Sequence, residues 1–199
     1  MSNYCLVSTF KERFYPPDST DVEDDAVIAS VISAVSKEID NYCHRRFWKN
    51  LVAETRYLTA AFYDLMFTPD IVSVTGVATD EDGDRLYSTS LAATDYDLEP
   101  YNAALDGLPY TRMRLTPNST HSFVTSQKGI KLTGIFGYPS VPDEVKEACM
   151  IQSIRLFKRK DAPFGVTGSA EMGQLMILPS LDPDVKLLLE PHVKDKVTW

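Results

Sequence analysis

Residues 128–160 read KGIKLTGIFGYPSVPDEVKEACMIQSIRLFKRK, and this stretch decides the fold. Its first apolar residues alternate with polar neighbours, apart from an irregularity expected at Gly134: Ile130, Leu132 and Phe136. A two-residue period of this kind predicts a strand with one buried face. The Gly-Tyr-Pro sequence at 137–139 then predicts the turn that ends the strand.

A helix follows this turn directly, and we place it at residues 140–161. Pro142 suits a first helical turn, where no backbone N–H is needed. Acidic residues complement the positive end of the helix dipole: Asp143, Glu144 and Glu147. One face follows the 3.6-residue period: Val145, Ala148, Cys149, Gln152 and Leu156.

A longer helix is predicted upstream, at residues 21–50. Thr20 and Glu23 have the spacing of a capping box. An apolar stripe at helical spacing follows: Val27, Ile28, Val31, Ile32, Val35, Ile39, Tyr42 and Cys43. Basic residues are expected to close its last turn: Arg45, Arg46 and Lys49.

Residues 51–138 change to a two-residue period and are rich in Thr and Tyr, which predicts antiparallel strands. The Asp82-Gly83 pair is typical of a tight hairpin, here joining residues 71–77 to a return strand through 85–87. Two more strands and two loops are predicted: strands at 95–99 and 110–115, loops at 102–109 and 116–122.

The two ends of the chain are predicted to be arms. Residues 1–20 contain Pro16-Pro17 and no periodicity, so we expect an extended arm whose aromatic residues can pack elsewhere: Phe10, Phe14 and Tyr15. Residues 162–199 begin with a Gly-rich loop of a kind that is usually either mobile or a docking element. A short helix is then predicted from Asp182-Pro183 to Pro191.

The predicted fold class is therefore α+β. A long N-terminal helix and a second helix form the body, an antiparallel β-rich insertion lies between them, and a short C-terminal helix follows. A chain of 199 residues can bury roughly 70% of its unfolded surface, so one subunit needs no metal or disulfide.

The composition, with 44% hydrophobic residues, is that of a soluble globular protein. No apolar run approaches the roughly 20 residues of a membrane span, so no membrane partner is expected. The first residues have no basic segment before an apolar core, which argues against a secretory signal and favours the cytoplasm. Three cysteines cannot all pair within one chain: Cys5, Cys43 and Cys149.

The formal net charge of −8 comes from residues 51–100, which hold two arginines against ten acidic residues. This balance argues against a strongly basic DNA-binding surface. Two local clusters remain candidates for contact with a DNA backbone: Arg45, Arg46 and Lys49, and Lys158, Arg159 and Lys160. Compensation of the helix dipoles is the favoured interpretation of the first cluster.

The sequence predicts no catalytic residues, no metal ligands and no cofactor. Its three histidines are far apart, and adjacent Cys43 and His44 point in different directions on a helix. Asp80, Asp82 and Asp84 match the start of an EF-hand loop, but Arg85 replaces its glycine, so we predict a solvated hairpin tip. The glycine-rich segment 165–173 lacks the Lys of a phosphate-binding loop.

Several segments together, in this order, resemble the head–tail connector (adaptor) proteins of tailed bacteriophages, in particular longer members with a β insertion. The resemblance covers most of residues 20–195. It rests on the following segments: the helix end YCHRRF at 42–47, DIVSVTGV at 70–77, IKLTGIFGYP at 130–139, VPDEVKEA at 141–148 and LDPDVKLLLEP at 181–191.

The resemblance implies a structural virion protein that forms a ring, typically dodecameric, under the portal. Such a ring joins the DNA-filled head to the tail and extends the DNA channel. The implied partners are other copies of the chain, the portal protein, a head-closure or tail protein, and double-stranded DNA that passes without sequence specificity. The implied location is the neck of the virion, after assembly in the host bacterial cytoplasm.

By segment, the resemblance also implies a portal-docking surface after the second helix, with these candidates: Phe164, Gly165, Val166, Met172, Leu175 and Leu188. An acidic chain suits a DNA channel, because a wall with few basic contacts lets DNA slide. We expect the acidic insertion to face away from DNA and the channel wall to be mixed in charge. Two alternatives stay open. One is another neck, head-closure or tail-completion protein, and the other is a small ligand-binding or hydrolytic domain whose site forms from distant residues.

Overall fold

The protein has an α+β fold, seen in a computed structural model that describes residues 3–16, 23–159, 166–167, 176–177 and 181–194. It divides into two compact units. The helical unit lies within residues 1–45 and 141–195, and the β unit lies within residues 46–140.

The helical unit contains four described α-helices. These are α1 (Val7–Phe14), α2 (Asp25–Cys43), α3 (Asp143–Lys158) and α4 (Pro183–Leu189), the last continued by a 3₁₀ turn at Glu190–His192. Two short strands, β7 (Val166–Thr167) and β8 (Met176–Ile177), pair with each other. No helix among the described residues is both long enough and apolar enough to cross a bilayer.

The predicted helices α3 and α4 are confirmed. Pro142 precedes α3 with extended backbone (φ −60°, ψ 150°), and Asp143 and Glu144 occupy its first turn. For α4, the Asp182 side chain accepts a hydrogen bond from the Asp184 N–H at 3.0 Å, which is the expected N-cap.

Helix α2 is shorter than the sequence predicts. It ends at Cys43 because His44 adopts a left-handed conformation (φ 53°), and the Arg45 N–H then bonds back to the Asp40 carbonyl at 3.3 Å. The basic residues Arg45, Arg46 and Lys49 therefore follow the helix, and the prediction that they close its last turn is wrong. Thr20 of the predicted capping box lies outside the described residues.

The expectation of an extended N-terminal arm is also wrong for residues 7–14, which form α1. Phe10 is buried and its ring lies 5.5 Å from that of Phe157, while Phe14 lies 5.4 Å from the same ring. The Leu6 N-cap makes no side-chain bond. Helix α1 is thus stabilised by aromatic packing on α3, a long-range contact with no local sequence signal.

The β unit is one antiparallel sheet, as predicted. Its strands are β1 (Glu54–Leu58), β2 (Leu65–Thr79), β3 (Thr89–Leu91), β4 (Tyr96–Glu99), β5 (Tyr110–Leu115) and β6 (Ile130–Phe136). The spatial order is β1-β6-β2-β5-β4, and β3 pairs with the end of β2. Strands β1 and β4 therefore lie at opposite edges.

Most predicted strands and loops of this unit are confirmed, but the hairpin is longer than expected. Gly83 lies in the turn with φ +81°, as a hairpin at this position requires. The return strand β3, however, begins only at Thr89, so residues 85–87 belong to the loop. The loop is wide because Arg85 and Tyr87 also have positive φ and bond to the chain near Lys128.

The irregularity expected at Gly134 lies on the partner strand instead. Strand β6 alternates without a break, and Gly134 takes a buried position in it. The register shifts occur on β2, between Ile71 and Ser73 and between Val74 and Gly76. A Cβ atom on Gly134 would lie 2.2 Å from the Ser73 carbonyl oxygen, so only glycine fits beside this bulge.

One face of the sheet forms the core of the β unit. Residues from all the long strands and from the 116–129 segment contribute to it, and the fully buried ones are Met66, Ile71, Met113, Phe123, Ile130, Leu132 and Phe136. Arg56 on β1 places its guanidinium 4.0 Å above the Phe136 ring, and burial lowers the pKa of Arg56. The strand that decides the fold is thus packed on both of its neighbours.

The turn after β6 gives the first testable prediction. Gly137 has φ +116°, and a Cβ atom there would lie 2.0 Å from the Trp48 carbonyl oxygen. We expect Gly137→Ala to lower the free energy of unfolding by about 3 kcal/mol, because backbone strain and a backbone clash add together. Urea denaturation followed by circular dichroism measures the loss.

Gly83→Ala is the matched control. Gly83 also has positive φ (+81°), but a Cβ atom there meets nothing within 4 Å. Strain alone should cost about 1 kcal/mol. Equal losses for the two variants would show that the close approach to Trp48 does not limit stability.

Candidate interaction surfaces

The β unit exposes most of the large apolar side chains of the described structure. Nine of the thirteen lie within residues 46–140: Leu51, Val52, Tyr57, Phe62, Tyr63, Leu86, Tyr101, Leu105 and Leu108. Most of them belong to loops between strands. Single exposed apolar residues are common on proteins, but a concentration next to sheet edges is typical of interaction surfaces.

The first group, the β1 patch, consists of Leu51, Val52 and Tyr57. Leu51 is 95% exposed and Val52 follows it just before the edge strand begins. The segment is held in place because the Asn50 N–H donates to the Phe136 carbonyl at 2.9 Å. Strand β1 pairs only with β6 among the described residues, so its other edge offers unpaired backbone groups.

The second group, the β4 patch, consists of Tyr101, Leu105 and Leu108 in the loop after β4. The loop has a fixed shape, since Ala103 is fully buried and its carbonyl accepts from the Leu108 N–H at 2.8 Å. This anchor leaves Leu105 87% exposed. The loop therefore exposes Leu105 to solvent, while buried Ala103 holds the loop in place.

These two patches belong to the two edge strands of one sheet. With five strands in the order β1-β6-β2-β5-β4 and a spacing of about 4.8 Å between strands, the edges are about 19 Å apart. The patches differ in sequence and in local structure. Two unlike patches on opposite edges suit a head-to-tail contact between copies better than a two-fold contact.

A charged network supports the β4 edge. Glu99 is buried, and its carboxylate lies 3.3 Å from Arg112 Nε and 3.2 Å from Arg114 Nε. Arg114 also binds Asp64 at 2.9 Å, and Tyr101 donates to Glu99 at 3.2 Å. The hydrogen bond to Glu99 raises the pKa of both Arg114 and Tyr101. The network therefore ties the β4 patch to β5.

The predicted portal-docking residues fall mainly outside the described structure. Phe164, Gly165, Met172 and Leu175 are not described, and for Val166 only its place in β7 is known. Leu188 on α4 is half-buried, so only part of it is accessible. The adjacent Leu187, which sequence reasoning passed over, is 71% exposed and is the better candidate on this helix.

Helix α4 is firmly seated in the helical unit. The Asp182 N–H donates to Gln152 Oε1 at 3.3 Å, and Arg155 lies 3.5 Å from the Asp182 carboxylate. The Lys194 N–H then donates to the Cys43 carbonyl at 2.9 Å. Leu187 is therefore displayed from a fixed helix.

The basic clusters are less accessible than the sequence predicts. Arg46 donates to Asn50 Oδ1 at 2.6 Å and stacks 4.2 Å from the Trp48 ring, and Arg45 and Arg159 are half-buried. Lys49 and Lys158 are exposed, and Lys160 lies outside the described residues. Among the described residues of these clusters, Lys49 and Lys158 are therefore the most accessible to solvent.

The acidic residues of the β unit are not all on the surface. Asp80 is only 1% exposed and pairs with Arg85 at 3.4 Å, and its Oδ1 accepts from the Arg85 N–H at 3.2 Å. The prediction of a solvated tip is therefore wrong for Asp80, although Asp82 and Asp84 are exposed. The three carboxylates lie within 4.8 Å of one another, but Arg85 already neutralises the buried one.

The cysteines and histidines do not form a nucleophile pair in the described structure. All three cysteines are buried and free, and burial raises the pKa of the Cys43 thiol to about 12. His44 is exposed, while His121 and His192 lie 3.8 Å and 3.7 Å from the carboxylates of Asp95 and Glu144.

A cavity of about 620 Å³ in the helical unit is the natural candidate for a small-molecule site. Its charged lining residues largely pair with each other: Arg13 with Glu147 at 2.6 Å, and Lys146 with Asp143 at 2.7 Å. The bond from Lys146 lowers the pKa of Asp143. Among the acidic and basic residues of its lining, this pairing leaves little of the convergent acid–base chemistry that active sites show.

No protein-family model matches this sequence, and no curated protein matches it. Chains from solved structures, in contrast, do match it in fold. A chain from the neck of an empty GTA particle, computed with C6 symmetry, gives a TM-score of 0.59 at 15% identity, covering 98% of this chain and 92% of that chain. A chain from the neck of a native GTA particle, computed with C12 symmetry, gives 0.57 at 16% identity, covering 96% and 90%.

A chain from the virion of a native gene transfer agent (GTA) particle gives a TM-score of 0.58 at 14% identity, covering 98% of this chain and 92% of that chain. At these identities the likeness shows a shared fold. Because almost the whole of each chain is covered, the fold is shared across both the helical and the β parts.

The Glu99 network gives the second prediction. We expect Glu99→Gln to lower the free energy of unfolding by about 1–2 kcal/mol, since the neutral amide loses both charge-assisted bonds. The loss stays in this range because both arginines are more than a third exposed, and water screens their charge. Urea denaturation measures it.

Asp97→Asn on the same strand is the control. Asp97 is exposed, and its replacement should change stability by at most about 0.5 kcal/mol. An equally small loss of stability for Glu99→Gln would show that the network does not stabilise the β4 edge.

Proposed function

We propose that this chain is a structural, non-enzymatic protein of a phage-like particle neck. In this proposal it forms a ring under the portal, joins the DNA-filled head to the tail and extends the DNA channel. One observation carries the proposal: the fold matches, over 98% of the chain, that of a chain in the neck of a GTA particle. The resemblance of its sequence segments to head–tail connectors points the same way.

Two further observations support a ring. The matching necks were computed with C6 and C12 symmetry, and a dodecamer satisfies both. The β1 and β4 patches are unlike surfaces at opposite sheet edges, which is what a head-to-tail ring needs from each copy. In the proposed ring, the β1 patch of one copy contacts the β4 patch of the next.

The proposed partners are the portal on one side and a head-closure or tail protein on the other. Residues 162–178 and helix α4 are the proposed portal-docking segment, with Leu187 as its most exposed described apolar residue. Covering an exposed apolar side chain removes its surface from water, so Leu187 on this fixed helix is a suitable contact for a partner.

DNA is proposed to pass through the ring without sequence-specific contacts. Affinity for DNA rises with the number of Lys and Arg that neutralise phosphates. The net charge of −8 and the engagement of Arg46 within the fold both weaken the attraction to phosphates. A weakly binding wall allows DNA to move during packaging and ejection.

A different neck position, such as head closure or tail completion, is the second candidate. The matching structures are those of a particle neck or a virion, which does not assign a position within the neck. The location of the protein within a particle distinguishes the two candidates.

The third prediction tests this function directly. Deletion of this gene alone from its phage or prophage should give heads and tails that fail to join, with heads that lose DNA. Electron microscopy of the particles, with complementation from a plasmid as the control, measures the outcome. Joined and infectious particles without the protein would refute the proposal, whereas full heads with unsealed necks would favour a head-closure role.

The fourth prediction tests the ring contact. Leu105→Glu and Leu51→Glu each place a carboxylate in the proposed interface, where an unpaired charge costs several kcal/mol. We expect each variant, supplied to the deletion strain, to lower the titre of infectious particles by more than about 100-fold. Immunoblots of purified particles should show the same loss of the protein.

Leu86→Glu is the matched control. Leu86 is 76% exposed, but it lies in the loop between β2 and β3 and belongs to neither patch. It should complement the deletion fully. Normal titres for Leu105→Glu and Leu51→Glu would place the contacts between copies elsewhere.

A further inference from the structure

The helical unit contains a pair of thiols in direct contact. Cys5, just before α1, and Cys149 on α3 place their sulfur atoms 3.3 Å apart, although 144 residues separate them in the sequence. A disulfide bond is about 2.05 Å long. The two sulfurs therefore need to approach each other by little more than 1 Å to form one.

Hydroxyl groups surround this pair. Ser36 Oγ lies 3.7 Å and Ser153 Oγ 3.9 Å from the sulfur of Cys149, and Ser36 also accepts from the Tyr4 N–H at 3.1 Å. The hydrogen bond from Cys5 lowers the pKa of the Cys149 thiol to about 7 and raises the pKa of Cys5. Of the two sulfurs, Cys149 is therefore the one on which a thiolate is favoured.

A small oxidant can reach the pair from the cavity described above. Cys5 lines this cavity together with Tyr4, Leu6 and Met150, whereas Cys149 is fully buried behind it. The volume of about 620 Å³ is ample for hydrogen peroxide. Cys43 provides a contrast within the same unit, since it is buried with a raised pKa and has no thiol neighbour among the described residues.

We propose that Cys5 and Cys149 are a redox modification site that forms an intrachain disulfide on contact with a peroxide. Cys5, which lines the cavity, attacks the O–O bond of hydrogen peroxide, becomes a sulfenic acid and releases the first water. The second sulfur displaces hydroxide from the sulfenic acid, and the hydroxide leaves as the second water. The two thiols lose two electrons and two protons, and the peroxide is reduced to two waters.

The bond would tie the N-terminal segment covalently to α3. The segment is already held there by weaker contacts, including the Arg13 to Glu147 ion pair and the hydrogen bond from the Tyr4 hydroxyl to Asp40. A cross-link that closes so long a loop restricts the unfolded chain strongly. Oxidation would therefore stabilise the helical unit in a particle that has left a reducing cell.

The test uses the purified, reduced, full-length chain. After hydrogen peroxide treatment under native conditions and denaturation, the number of free thiols should fall from three to one. Digestion without reduction, followed by mass spectrometry, should give a linked peptide pair that contains Cys5 and Cys149. The urea midpoint of unfolding should rise, and dithiothreitol should reverse the rise.

Three variants sharpen the test. Cys43→Ala should fall from two free thiols to none, while Cys5→Ala and Cys149→Ala should keep both of theirs. If an alanine variant fails to fold, the peptide map of the wild-type chain decides the question by itself. A thiol count that stays at three, a link that involves Cys43, or a link between two chains would each overturn the proposal.

Discussion

The β unit depends on how closely the backbone of β6 approaches its neighbours. At Gly134 the Ser73 carbonyl on β2 occupies the space of a side chain, and at Gly137 the Trp48 carbonyl does the same. These two contacts let β6 pair with β1 on one side and with bulged β2 on the other. The core residues of β6 then meet those of β2 and β5, and the edges of the sheet are fixed as a result. The apolar patches owe their positions to this arrangement.

Local signals in the sequence were enough for much of the fold. The alternation in β6, the acidic first turn of α3 and the Asp182 cap of α4 each have a short-range cause, and each is confirmed. The predictions that are wrong share a different cause, namely contacts between segments that are far apart in the sequence. Helix α1 forms because Phe10 packs on Phe157, more than 140 residues away, and the bulge lies on β2 because its partner strand approaches there. Such contacts leave no pattern in a single segment.

The interaction surfaces were harder to predict for a related reason. An apolar residue in a loop can be an anchor that points inward or a contact that points outward, and composition alone does not separate the two. In the loop after β4, Ala103 is buried and Leu105 is exposed, although both are apolar and two residues apart. In the same way the acidic residues at 80–84 suggested one solvated group, but Asp80 is buried with Arg85 as its counter-charge. Which of these residues is buried and which is exposed depends on the folded conformation of the loop, and the composition of the segment does not show it.

An exposed sheet edge is usually a liability, because unpaired backbone groups and apolar side chains promote uncontrolled association. In this protein both edges have adjacent apolar residues, with Leu51 beside one and Leu105 beside the other. Charged residues accompany them, including Glu54 and Arg56 on β1 and Asp97 on β4. Under the proposed function, a closed ring would resolve this conflict, since each exposed edge region is covered by the next copy. In such a ring the apolar residues would supply the contact, while the charged residues would oppose association in other arrangements.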